Sequence, residues 1–215
     1  MKEPGIFRSQ PNDKASFLMR KKADCYQQKF IKYPGVGTFH SLSELLHSAL
    51  LESDPLVTSF TPQPDFGKIN GKKYIPDSGF IRDGEKWIVE LKPRGEFTDS
   101  KRIPLEEHAK QRGYRFTVVS NEEVLEQKIK ADNWLRITRA LVAAEFIDTT
   151  GEEEVITERL SLESNLTFGN FVDPMNRIAK YHWEIALFRL AHFGSVTLDL
   201  QHSALNLQTR VRLCD

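Results

Sequence analysis

Asp77, Glu90 and Lys92 lie on either side of one turn signal in the stretch 72–92. Between them stands Asp83-Gly84, flanked by β-branched and aromatic residues, which is the strongest short-range signal for a two-residue hairpin. With Asp83 and Gly84 as the loop, Arg82 faces Glu85 and Asp77 faces Glu90. Lys92, two residues on, shares the face of Glu90. Facing positions in an antiparallel ladder hold Cβ atoms roughly 4.5–5.5 Å apart, where like charges destabilise the sheet. Two carboxylates so placed, with an ammonium beside them, suit a divalent metal ion. Mg²⁺ prefers hard oxygen ligands and often takes only one or two carboxylates. Lys92 is then placed to hold or deprotonate an attacking water, or to offset charge on a phosphate. The bland alternative is a solvated face on which Glu and Lys alternate. Trp87, Val89 and Leu91 form the opposite face, which the alternation turns toward the core.

The elements that must position these groups can be read around the hairpin. Residues 1–37 form an arm, broken at Pro34-Gly35 and Gly37. The first helix starts at Ser41, with Leu42, Leu45, Leu46, Ala49 and Leu50 at helical spacing. Ser41 and Glu44 also fit a capping box, which gives Glu44 a structural role beside any chemical one. Asp54-Pro55 ends the helix. Residues 56–64 read as a strand leading into a Pro-bounded loop, and 65–70 as a short strand turned at Asn70-Gly71. After Lys92, Pro93-Arg94-Gly95 breaks the strand. Residues 104–112 read as a helix closed by Gly113, and 114–120 as a buried strand. This order predicts an α/β (α+β) mixed sheet with helices on its faces.

From Asn121 the chain turns acidic and helical. Helices are predicted over 122–130 and 132–146, the second packing through Leu135, Leu141, Val142 and Phe146. A short helix starts near Glu152, 165–173 loops, and a long helix runs from Pro174 to about Phe193, stopped by Gly194. Strands over 196–200 and 205–213 follow. Helices, a further helix and a β-hairpin suggest a small, mainly helical, winged-helix-like C-terminal domain. The domains are therefore read as a basic arm (1–37), a sheet domain (38–120) and this C-terminal domain (121–215).

Composition narrows the function classes. The 215 residues are 40% hydrophobic and 28% charged, ordinary for a globular protein with a buried core. No run approaches the ~20 apolar residues of a membrane span, and the N-terminus lacks the apolar segment of a secretory signal. Cys25 and Cys214 lie far apart without metal-ligand spacing, and read as free thiols of a reducing, cytoplasmic compartment. A net charge of zero conceals 20 Lys and Arg against 15 Asp and Glu in residues 1–120, and 10 against 15 beyond. The excess lies in the arm, where Arg20, Lys21, Lys22, Lys29 and Lys32 are candidate contacts to a polyanion such as DNA. The acidic C-terminal part favours protein contact at least as much as DNA contact. His40, His47, His182 and His192 lack zinc spacing. Tyr181, Trp183 and Phe188 read as core or interface, and no P-loop or dinucleotide fingerprint is present.

Pro76-Asp77 followed by Glu90-Leu91-Lys92 resembles the PD-(D/E)xK signature of restriction-endonuclease-like nucleases. In that superfamily an upstream helix supplies a further acid, where this chain has Glu44. More narrowly the chain resembles the TnsA endonuclease subunit of heteromeric Tn-seven-type transposons, the CRISPR-associated kind included. The matching pieces are Ser43-Glu44, Phe60 with Gln63-Pro64, residues 74–77, residues 89–92, and residues 113–116, with likeness continuing to Gly194–Leu200. Some members carry Gln where this chain has Glu90, a change toward the general nuclease pattern.

The resemblance implies a Mg²⁺- or Mn²⁺-dependent DNA endonuclease that cuts the non-transferred strand at the 5′ ends of a transposon. Its implied partners are transposon-end DNA, a TnsB-type DDE transposase and a TnsC-type AAA+ ATPase, together giving cut-and-paste transposition. Asp77 and Glu90 would bind metal, with Glu44 completing the acidic cluster, the Leu91 backbone carbonyl as an extra ligand, and Lys92 orienting water or stabilising the phosphorane. Another nuclease of the same superfamily, or a non-catalytic adaptor in a transposition complex, is the alternative.

Overall fold

Asp83 and Gly84 have φ values of 51° and 76°. Left-handed geometry at both central positions is what a tight hairpin turn requires, and Asp-Gly supplies it at low cost. The computed structural model describes residues 25–69 and 71–214. The turn joins β6 (Ser78–Arg82) to β7 (Glu85–Lys92). Arg82 faces Glu85 and Ser78 faces Val89, the predicted register. Asp77 stands just before the first ladder pair, at the position that continues opposite Glu90.

The chain divides into two compact units, one holding residues up to Leu51 with Leu56–Glu126, the other Glu52–Pro55 with Gln127 onward. The first unit is built on a four-stranded mixed sheet ordered β3-β6-β7-β8, where β3 is Val57–Pro62 and β8 is Arg115–Ser120. Strands β3, β6 and β7 run antiparallel, while β8 pairs parallel to β7. A parallel partner requires a crossover, provided by α2 (Asp99–Gln111). Before β3 come β1 (Tyr26–Lys29), β2 (Val36–Phe39) and helix α1 (Leu42–Ser53). Between β3 and β6 lies a small hairpin of β4 (Lys68–Ile69) and β5 (Lys72–Lys73).

The core departs from a simple two-faced reading of β7. Ile88 and Val89 are both fully buried, and Glu90 and Leu91 nearly so. The strand is covered on both faces, because Ile88 packs with Phe66 and Ala109 on the side expected to be solvated. Phe30, Phe39 and Phe60 meet edge-on at 5.2–5.9 Å, tying β1 and β2 to β3. Residues 26–29, read as part of the arm, thus form an antiparallel pair with residues 36–39, and this pair has a core role.

Other expectations are corrected in the same physical terms. Helix α2 begins at Asp99 rather than Pro104, which lies inside it. A proline there forfeits one backbone hydrogen bond, tolerable on a helix whose buried residues are only Leu105 and Ala109. Strand β8 is half-buried rather than buried, as an edge strand must be. On α1 burial extends past the predicted stripe to His47, Ser48, Glu52 and Ser53, while Leu42 and Leu50 are half-buried.

The second unit carries α4 (Lys128–Ala143), α5 (Thr150–Leu162), α6 (Arg177–His192) and the antiparallel pair β9 (Val196–Leu198) with β10 (Val211–Leu213). The short α3 (Asn121–Glu126) belongs to the first unit, so the helical break falls at Gln127, six residues beyond the predicted boundary. Phe146, expected to pack, is 95% exposed because α4 ends before it. Pro174–Asn176 is a separate 3₁₀ turn ahead of α6, and Gly194 closes that helix at φ 78°. Phe188 is buried and stacks on Phe168 at 5.8 Å. Asn133 fixes the loop before β10. Its amide donates to the Leu200 and Ser203 carbonyls and its oxygen accepts from Leu205 N–H, at 2.8–3.1 Å. Among the described residues no helix is long and apolar enough to cross a membrane. Cys25 and Cys214 are free and exposed.

Candidate active site

The predicted carboxylates of the hairpin are brought together by Lys92. Its ammonium bonds Asp77 Oδ2 at 3.3 Å and pairs with Glu90 Oε2. Asp77 Oδ2 also accepts the Leu91 backbone N–H at 2.8 Å. β6 stops pairing at Ser78, so the Asp77 side chain takes over as partner to the next exposed amide of β7. A strand residue turns its N–H and C=O to the same edge, so the Leu91 carbonyl opens toward Asp77 as well.

Tyr74, which the sequence reading did not place in the site, completes the shell of Glu90. Its hydroxyl donates to Glu90 Oε1, and its ring packs on the Phe66, Ile88 and Ala109 cluster. Burial, the hydrogen bond to Glu90 and the charges of Glu90 and Asp77 all push the Tyr74 hydroxyl far above its ordinary range, so it acts as a fixed donor. Burial and the neighbouring charge of Asp77 raise Glu90, outweighing the lowering from Lys92 and Tyr74. Burial works to lower Lys92, but its bonds to Glu90 and Asp77 prevail and the ammonium is held above its usual value.

Glu44 occupies a different place. Ser41 and Glu44 cap α1 reciprocally: Glu44 N–H donates to Ser41 Oγ at 3.2 Å, and Ser41 Oγ–H to Glu44 Oε1 at 3.0 Å. His40 N–H adds a bond to Oε2 at 3.1 Å. The capping role is therefore real. A link to the hairpin carboxylates comes through Gln63, another residue not assigned to the site from sequence. Its side-chain amide donates to Glu44 Oε2 at 3.4 Å, and its backbone N–H donates to the Asp77 carbonyl at 3.1 Å. Gln63 has φ 47°, an uncommon backbone state for a non-glycine residue, which turns it between these two partners. Neither contact has a local signal, since Gln63 reaches Glu44 across 19 residues and Tyr74 reaches Glu90 across 16.

The fit to a divalent ion rests on the donor set. Asp77 and Glu90 are hard oxygen donors close enough for one charge to perturb the other, and the Leu91 carbonyl faces the same edge. Among the described residues no group of three or more His, Cys, Asp or Glu side chains is gathered for a metal ion. Glu44 thus stands one residue removed from the pair, across Gln63. Of the basic arm, Arg20, Lys21 and Lys22 lie outside the described residues. Lys29 is exposed on β1, and Lys32 is half-buried with its carbonyl accepting Phe60 N–H at 3.1 Å. His47 is buried and His192 bonds Glu52 at 2.7 Å. Comparison with protein-family models and with curated proteins finds no match for this chain.

Proposed function

We propose that this chain is a divalent-metal-dependent DNA endonuclease of the PD-(D/E)xK kind. Within that class we favour a TnsA-like role: cutting the non-transferred strand at the 5′ ends of a transposon, beside a DDE transposase and an AAA+ regulator. The observation that carries the chemistry is the convergence of Asp77, Glu90 and Lys92 at the open end of the β6–β7 ladder. The TnsA-like role rests on the motif resemblance, and the winged-helix-like reading of the second unit rests on its helices followed by the β9–β10 pair.

In this mechanism Asp77, Glu90 and the Leu91 carbonyl would hold Mg²⁺ or Mn²⁺, with Glu44 adding negative charge from across Gln63. A bound ion supplies Lewis-acid polarisation of the phosphate and a bound water of lowered pKa. Lys92 donates a hydrogen bond to the attacking water or to a non-bridging phosphate oxygen. The water oxygen bonds to phosphorus as its proton passes to solvent, and the P–O ester bond breaks with the leaving oxygen taking a proton from solvent to become a hydroxyl. The Lys92 ammonium lies between the two carboxylates, so an ion that takes those oxygens would release it toward the phosphate beside them. Tyr74 fixes the rotamer of Glu90, and the Leu91 amide fixes that of Asp77.

The test is strand-resolved cleavage of transposon-end DNA with Mg²⁺, using the protein alone, with its transposase and regulator, and with Asp77→Ala in the full mixture. Loss of the 5′-side cut alone in the variant supports both the activity and the strand. Unchanged cutting by the variant rejects the catalytic assignment and leaves the adaptor reading.

A further inference from the structure

The β4–β5 hairpin places lysines at three of its six positions, Lys68, Lys72 and Lys73. Lys68 and Lys73 face each other directly in the ladder, and all three side chains are exposed. Facing like charges oppose strand pairing, so this pair does not recommend itself as a stabilising element. The hairpin is held by other means. Ile69 packs on the cluster of Phe66, Ile88 and Ala109, and Tyr74 N–H donates to the Gly67 carbonyl at 2.9 Å. The Arg112 guanidinium donates to the Phe66 carbonyl at 2.6 Å and lies 5.7 Å from the Phe66 ring centre. An apolar root therefore fixes a small ribbon that carries Lys68 and Lys73 on its outer face and Lys72, opposite Ile69, exposed at its edge.

The position of that charge matters. Tyr74, directly after Lys73, is the residue that bonds Glu90, and Asp77 follows three residues later. A fully extended chain advances at most ~3.6 Å per residue, so the Lys73 and Asp77 backbones are within about 14 Å. Duplex DNA carries a phosphate about every 3.4 Å along each strand. A duplex with one phosphate at Asp77 and Glu90 thus has several others within reach of the hairpin. Between residues 64 and 76 the one acid is Asp65, whose carboxylate is turned back onto the Gly67 amide at 3.1 Å.

We infer that the β4–β5 hairpin is a phosphate-contacting finger that grips the DNA backbone beside the cutting site through Lys68, Lys72 and Lys73. It rests on the nuclease reading only for the identity of the polyanion. These contacts carry no base specificity; they set where along the backbone the scissile phosphate lies.

The experiment is anisotropy titration of a 30-base-pair duplex over a salt series in EDTA, so that binding is read without cleavage. The full-length protein is compared with the triple variant K68Q/K72Q/K73Q and with K68R/K72R/K73R. Each phosphate contact contributes about 0.9 to the slope of log affinity against log salt. The Gln variant is expected to lose about 2 to 3 units of slope, while the Arg variant keeps it. An unchanged slope in the Gln variant, equal loss in both variants, or no duplex binding by the wild type overturns the finger. These readings are independent of catalysis. If the slope falls as expected while the wild type cuts no strand in the full transposition mixture, the finger stands and the nuclease reading fails.

Discussion

Tyr74 donates its hydroxyl to the Glu90 carboxylate, so an aromatic residue outside the signature sets the rotamer of a signature acid. Removing that hydroxyl as Tyr74→Phe keeps the ring in its apolar seat and releases one carboxylate oxygen. Partners of metal-holding side chains cost 10–100-fold when lost. Cleavage by Tyr74→Phe is expected to fall by about that factor, with the Mg²⁺ concentration for half-maximal rate rising. A rate and Mg²⁺ curve equal to wild type would remove Tyr74 from the site.

Lys92 occupies the same carboxylate oxygens that a metal ion would use. Lys92→Met is therefore expected to separate binding from chemistry. Mn²⁺ binding, followed by electron paramagnetic resonance, holds or tightens because a competing cation is gone. Cleavage drops by about 100-fold or more, the scale of losing one preorganised donor. Weaker Mn²⁺ binding together with retained cleavage would contradict this assignment.

Glu44 performs two tasks that two substitutions can divide. Glu44→Gln can keep its oxygen at the place of Oε2 to accept from His40 N–H and turn its amide NH2 to donate to Ser41 Oγ, and is expected to unfold in urea within about 0.5 kcal/mol of wild type. Glu44→Ala loses the cap and costs about 1 kcal/mol. If Glu44 serves the reaction, both cleave at least about 10-fold more slowly, and Gln63→Ala slows cleavage with little change in stability. Wild-type rates in Glu44→Gln would leave Glu44 as a helix cap alone.

His47 gives a pH prediction away from the hairpin. Burial lowers its pKa from 6.5 to about 4, and its Nδ1 has no hydrogen-bond partner. The unfolded chain therefore binds a proton that the folded chain refuses. The stability tied to neutral His47 is present above pH 6.5 and is lost as pH falls toward 4, amounting to at most about 3 kcal/mol. Urea unfolding at pH 7 and pH 4 should show a smaller difference in His47→Gln than in wild type. Equal differences would mean that His47 titrates normally.

The parts of this fold legible in sequence are those governed by local chemistry. Asp83-Gly84 dictates its turn, the turn dictates the register, and the register places Asp77, Glu90 and Lys92 together. Ser41 and Glu44 likewise announced a helix cap. What stayed hidden depends on distant neighbours. Ile88 alternates as a solvent-facing residue until Phe66 and Ala109 cover it. Tyr74 and Gln63 reach Glu90 and Glu44 across 16 and 19 residues, which no local pattern encodes. The β8 run reads as buried because its residues are apolar, whereas its edge position follows from strand order alone.

The two-residue turn between β6 and β7 also orders events in time. Hairpins close in about 1–10 µs, so Asp77, Glu90 and Lys92 can meet before much of the chain has collapsed. Glu44 joins through Gln63, after the longer loop from α1 to the hairpin has closed, and β8 must await its helical crossover. The acidic pair is thus the earliest-assembling part of the site and its link to α1 a late one. The pair that the proposed mechanism assigns to an ion is set by a local turn, and the third acid by a contact spanning 19 residues.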